Sequence, residues 1–123
     1  MVNDKKIKIL VVDDEQIVRD FLLRFLTLKS AMVKIVEDGF LAIEAFRQER
    51  FDLVFLDVKM PQMNGLETFR ELKKIDPQAQ YVMMTGYAVD ELLEQAEQEG
   101  AAHSIRKPFD IDQITSLIEG YVS

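Results

Sequence analysis

Five short apolar runs rich in β-forming residues, separated by stretches of helical period, constrain this chain more than any other feature. The runs are "IKILVV" (7–12), "MVKIV" (32–36), "DLVFL" (52–56), "QYVMM" (80–84) and "AHSIR" (102–106), each of strand length and suited to a pleated surface. Between them, apolar residues recur every three or four positions. Residues 16–29 place Ile17, Phe21, Phe25 and Leu28 on one stripe, and residues 111–121 do the same with Ile111, Ile114, Leu117, Ile118 and Tyr121. Both stripes are expected to face the core. Shorter stripes join Leu41, Ala42, Ala45 and Phe46, then Leu66, Phe69 and Leu72, then Leu92, Leu93 and Ala96. Gly100 stands where a helix C′ glycine would follow the fourth helix, and Asp76 with Pro77 closes the third.

Strands that alternate with helices imply a parallel sheet covered on both faces, because each right-handed crossover lays its helix over the sheet. The expectation is a doubly wound α/β fold with five parallel strands. The continuous apolar runs of the first, third and fourth strands suit central positions, and the alternating Val33, Lys34, Ile35 suits an edge. No linker or shift in composition divides the chain, so residues 1–123 read as one domain, of a size that buries about two-thirds of its unfolded surface.

Composition excludes several classes of function. A net charge of −7 repels a phosphate backbone, which argues against direct nucleic-acid binding. With no cysteine there is neither a disulfide nor a thiolate metal site. The opening "MVNDKKIKILVVDDE" carries an apolar stretch too short for a signal-peptide core or a membrane span. A cytoplasmic protein with no membrane contact is expected.

In open parallel sheets the ligand crevice lies beyond the carboxyl ends of the strands. The first strand ends in Asp13, Asp14 and Glu15, the third in Asp57, the fourth in Thr85 and the fifth in Lys107. A single acid after a strand is ordinarily a turn residue or a helix N-cap. Four acids, a hydroxyl and a lysine at four strand ends need a joint explanation. Neighbouring carboxylates repel one another and either hold protons or recruit a cation. All the available ligands are oxygens, which points to Mg²⁺ with coordination left open for phosphate. Lys107 then supplies a fixed positive charge and Thr85 a hydroxyl donor, which suits phosphoryl transfer.

"VVDDE", "LDVKMPQMNG", "MMTG" and "RKPF", in this order and spacing, resemble the receiver domain of bacterial two-component response regulators, over essentially the whole chain. The resemblance implies a flavodoxin-like (βα)5 fold with strand order 2-1-3-4-5. It implies that Asp57 is the phosphoacceptor, taking a phosphoryl group from a histidine kinase or histidine phosphotransfer protein without acting on a separate substrate. It further implies that Asp14, Asp57 and the main-chain carbonyl of Lys59 hold Mg²⁺, that Asp13 assists through water, that Lys107 pairs with the phosphoryl group and that Thr85 swings toward it. Signalling would pass to a downstream effector or a fused output domain, and the face of the fourth helix, fifth strand and fifth helix would serve as a dimerisation surface.

Several finer expectations follow from the same resemblance. The Lys107–Pro108 bond should be cis. Gly86 should leave open space beside the acceptor, and Lys59 and Tyr87 should flank it where they tune the attack of water. Ser104 departs from the family, which commonly carries Tyr or Phe three residues before the lysine. His103, the sole histidine, reads as an ordinary strand residue and not as a phosphodonor. Three rival readings are a flavin-binding module of the same topology, a metal-dependent phosphohydrolase, and a degenerate receiver acting as a docking or dimerisation module. "DDEQ" offers the wrong loop for the first, Lys59 stands where the second would need an acid, and the complete polar set argues against the third.

Overall fold

In the computed structural model, which describes residues 6–86 and 90–122, five strands form one parallel sheet in the order β2-β1-β3-β4-β5. The strands are β1 (Lys8–Val12), β2 (Met32–Val36), β3 (Leu53–Asp57), β4 (Gln80–Thr85) and β5 (His103–Arg106). The helices are α1 (Gln16–Leu28), α2 (Gly39–Gln48), α3 (Gly65–Ile75), α4 (Asp90–Gln98) and α5 (Ile111–Val122), one after each strand. None of the described helices is long and apolar enough to cross a membrane.

Side-chain alternation sorts the strands into two cores. Leu10, Val54, Leu56, Tyr81 and Met83 pack with Phe46, Phe69, Leu72 and Ala96 on the face covered by α2, α3 and α4. Ile9, Phe55, Val82 and Met84 pack with Leu22, Leu26, Ile114 and Ile118 under α1 and α5. Every residue of β3 is buried, so this central strand is held from both sides.

The expected stripe of α1 is the wrong one. Ile17 is 82% exposed and Leu28 77%, and Phe21 is also exposed, whereas Val18, Leu22 and Leu26 are the residues that enter the core. The helix is apolar on two adjacent stripes of the same period, and packing against the sheet selects between them. Phe21 instead stacks on Phe25 at 5.8 Å and on Phe109 at 6.0 Å, in an aromatic row at the rim of the core, against which the partly buried Phe25 and Phe109 pack. Likewise Ile111 and Leu41 are exposed, while Ile114, Ile118, Ala42, Ala45 and Phe46 are buried. The side chain of Tyr121 lies outside the described residues.

Helix ends agree with the local chemistry. Gly100 adopts φ of 111°, the left-handed conformation that ends α4. Asp76 is the C-cap of α3. Asn64 and Gly65, a pair that commonly forms a tight turn, here start a helix: Asn64 caps α3 by accepting from the Glu67 N–H, and Glu67 accepts from the Asn64 N–H, a reciprocal capping box.

Candidate functional site

Asp57 is the last residue of β3 and continues the row of Leu53 and Phe55, one step beyond the Val12–Leu56 pair that joins β3 to β1. Asp13 follows Val11 in the same way on β1, and Lys107 follows Ile105 beyond β5. Alternation therefore sends all three toward the α1 and α5 side of the carboxyl edge of the sheet. Lys107 Nζ lies 2.7 Å from Asp13 Oδ2, 2.9 Å from Glu15 Oε1 and 3.5 Å from Asp57 Oδ2. Acids from the far ends of β1 and β3 meet at one ammonium group beyond β5, Glu15 from 92 positions away.

The surrounding backbone holds this arrangement. The Glu15 N–H donates to Asp13 Oδ1 at 2.9 Å, and Arg19 Nη1 donates to the Asp13 carbonyl at 2.8 Å, tying the first turns of α1 to the acid cluster. The Lys107 N–H donates to the Thr85 carbonyl at 2.7 Å, and the Lys107–Pro108 bond is cis, as expected. Beyond Asp57, the Gly65 N–H donates to the Val58 carbonyl at 2.8 Å, which folds the loop back on the strand. A Cβ on Gly65 would stand 2.2 Å from the Asp57 carbonyl oxygen. That glycine lets α3 begin against the acceptor strand.

Electrostatics at the site are those of crowded, shielded acids. Burial raises Asp57 to about 7, the charges of Asp13 and Asp14 push in the same direction, and Lys107 and the Lys59 N–H pull against them. Burial also raises Asp13, opposed by its contacts with Lys107 and the Glu15 N–H. Burial alone would lower Lys107, but Asp13, Glu15 and Asp57 hold it above the usual lysine range. Asp13 Oδ2 is buried without a well-aligned hydrogen bond, its compensation coming from the Lys107 charge. Carboxylate oxygens of Asp13, Asp14, Glu15 and Asp57 all lie within 4.8 Å of one another. A hard-oxygen donor set with an under-satisfied buried acid fits a divalent cation.

The remaining expected residues are arranged around this centre. Asp14, Asp57, Lys59, Met60, Gly86 and Lys107 line an open cleft. Thr85 is buried and belongs to the Tyr81 and Met83 row, opposite to that of Asp57, which pairs with Met84. A Cβ on Gly86 would meet Lys107 Cδ at 3.7 Å, an ordinary contact, so there is open space beside the acceptor at this position. Ser104 is half-buried opposite Met83, with its hydroxyl 3.4 Å from Glu97 Oε2. His103 is exposed and pairs with Val82. Tyr87 and Ala88 lie outside the described residues.

Two features were not expected from the sequence. Glu15 contacts Lys107, a pairing that no local spacing signals; the capping box at Asn64 and Glu67 had a signal, N-x-x-E before an apolar run, that the turn-like "NG" obscured.

The profile of the family described as "Response regulator receiver domain" matches residues 9–119. Sporulation initiation phosphotransferase F of Bacillus subtilis (strain 168) is 33% identical over 94% of this chain and 93% of its own length. Among solved structures, a CheY-like response regulator receiver domain protein from Methanospirillum hungatei JF-1 superposes with a TM-score of 0.89 at 28% identity, covering 94% of this chain and 93% of that one. A response regulator protein from Burkholderia pseudomallei, solved with a phosphorylated aspartic acid, a calcium ion and citrate, gives a TM-score of 0.84 at 25% identity, covering 92% of this chain and 66% of that one.

Proposed function

Because this chain belongs to the receiver-domain family of two-component response regulators, we propose that Asp57 is its phosphoacceptor, and that residues 1–123 act as one receiver unit in the cytoplasm. The observation that carries the assignment is the setting of Asp57: a buried carboxylate at the end of the central strand, 3.5 Å from Lys107 Nζ and surrounded by further acids. A rigid strand holds the nucleophile in line with its donor.

In the proposed step an Asp57 carboxylate oxygen forms a bond to phosphorus as the phosphorus–nitrogen bond of a phosphohistidine breaks. The electron pair stays on the imidazole nitrogen, which regains its proton from water. Asp57 must be ionised to attack, and burial among acids works against that. Bound at Asp14, Asp57 and the Lys59 carbonyl, with Asp13 assisting through water, Mg²⁺ would supply the charge that keeps Asp57 ionised and offsets the phosphoryl oxygens. Lys107 neutralises a phosphoryl oxygen directly, and Thr85 donates its hydroxyl after moving from its own row. The aspartyl phosphate is the product, so the chain has no separate substrate. The Burkholderia pseudomallei relative, solved with a phosphorylated aspartic acid and a calcium ion, supports a reading in which an aspartate accepts the phosphoryl group and a divalent cation binds.

The donor in this reading is a histidine kinase or a histidine phosphotransfer protein, and the listener is an effector or a fused output domain. A degenerate receiver would not need the complete set of Asp13, Asp14, Asp57, Thr85 and Lys107. The test is incubation with acetyl phosphate and Mg²⁺ followed by intact-mass analysis. The wild type should take up one acid-labile phosphoryl group and Asp57→Asn none; equal labelling of the two would rule out the assignment.

A further inference from the structure

The Lys107 ammonium has three N–H groups, and three carboxylates surround it: Asp13 at 2.7 Å, Glu15 at 2.9 Å and Asp57 at 3.5 Å. Its charge is already more than matched by these acids, with Glu15 accepting a hydrogen bond from it. A phosphoryl group on Asp57 adds three acceptor oxygens and about two negative charges at the same place, so one resident carboxylate has to yield. Asp13 is buried and its other oxygen is tied to the Glu15 N–H, and Asp57 is the group being modified. Glu15 differs from both. Its side chain is 60% exposed, and although Glu15 is the N-cap of α1, that side chain makes no capping bond to the helix. It can turn into water without leaving a buried group unpaired.

We infer that Glu15 is a resting latch on Lys107: its carboxylate holds the ammonium until a phosphoryl group arrives, and its release accompanies the transfer step. Glu15 is then a positioning residue that slows phosphoryl uptake. The inference rests on Asp57 being the acceptor. With phosphoramidate as donor, an Asp57 oxygen forms the bond to phosphorus, the phosphorus–nitrogen bond breaks, and the already protonated nitrogen leaves as ammonia with the electron pair. Lys107 keeps its proton and exchanges Glu15 for a phosphoryl oxygen, while Glu15 turns outward still ionised. This is distinct from a role for Glu15 as a cation ligand, which its place in the acid cluster also makes chemically open.

Two substitutions separate these roles. Glu15→Gln removes the charge; Glu15→Asp keeps it but is one methylene too short to span the contact with Lys107. The rate of phosphorylation by phosphoramidate at saturating Mg²⁺ is measured for both, together with the Lys107 Nζ resonance by NMR in metal-free protein. Both variants should take up the phosphoryl group roughly two- to fivefold faster, the range expected for loss of a partly exposed ion pair, and both should shift the Lys107 resonance. A fast Gln variant with an Asp variant like the wild type would indicate net charge alone, and slowing in both would indicate a cation ligand; either result overturns the latch. An unchanged Lys107 resonance in Glu15→Gln overturns it independently of phosphorylation, whereas a wild type that takes up no phosphoryl group removes the acceptor reading itself.

Discussion

Replacing Asp57 with Asn should make the metal-free protein more stable, although it removes the acceptor. In the folded chain Asp57 keeps its proton up to about 7, against 3.8 for an unperturbed aspartate. Between these values the native state binds more protons than the unfolded state, so stability falls as pH rises through the window. The favourable contribution is complete below 3.8 and is lost once the pH passes about 7. A difference of about three units at 1.36 kcal/mol each puts the penalty on the order of 4 kcal/mol at pH 8, and below about 1 kcal/mol at pH 4. An amide in the same place does not repel Asp13 and Asp14, but it loses the attraction of Lys107 and stays buried. We therefore expect Asp57→Asn to gain roughly 2–4 kcal/mol at pH 8 in chelator, shrinking to less than about 1 kcal/mol at pH 4. Urea denaturation of both proteins at the two pH values, with EDTA throughout, measures the difference. A variant no more stable than the wild type at pH 8, or one whose advantage is the same at both values, would refute the electrostatic account of this site.

Magnesium should raise the melting temperature of the wild type, since a ligand selective for the native state adds about 2.7 kcal/mol at a hundredfold excess over Kd; Asp14→Asn should lose most of that rise, and an unchanged response would sink the proposed donor set. Gly65→Ala should destabilise the fold by about 1–3 kcal/mol, because its Cβ would meet the Asp57 carbonyl at 2.2 Å and neither backbone can yield freely; wild-type stability in thermal melts would show that α3 shifts at no cost. Beryllofluoride with Mg²⁺ should produce larger backbone NMR shifts at residues 86–92 than at residues 102–106, since Ser104 has no ring to fill space vacated by Thr85. Comparable shifts at 102–104 would refute a signal confined to the loop after β4.

Periodicity made most of the fold legible. Each expected strand lies within a residue or so of β1 to β5, and the all-buried β3 agrees with the continuous apolar run that suggested a central strand. The ends of the strands were also legible, because in parallel sheets they converge at one edge whatever the loops between them do. Asp13, Asp57 and Lys107 meet there as the sequence implied. The placement of Asn64 and Gly65 was not, because a residue pair that suits a turn also suits a helix N-terminus and the reciprocal bonds of Glu67 decide which forms.

What the sequence determined by itself was chemistry and order: which residue types stand at which strand ends, and that the strands are parallel with helices between them. Alternation and helical period are local properties, set by backbone geometry within a few residues. The tertiary structure decided which of two equivalent apolar stripes of α1 turns inward, burying Val18, Leu22 and Leu26 and leaving Ile17 and Leu28 in solvent. It also decided that Glu15, 92 residues from Lys107, is the acid that reaches the ammonium alongside Asp13. Both choices depend on how α1 and β5 sit on the same sheet, and that arrangement is fixed by packing across the whole core, which no window of sequence contains.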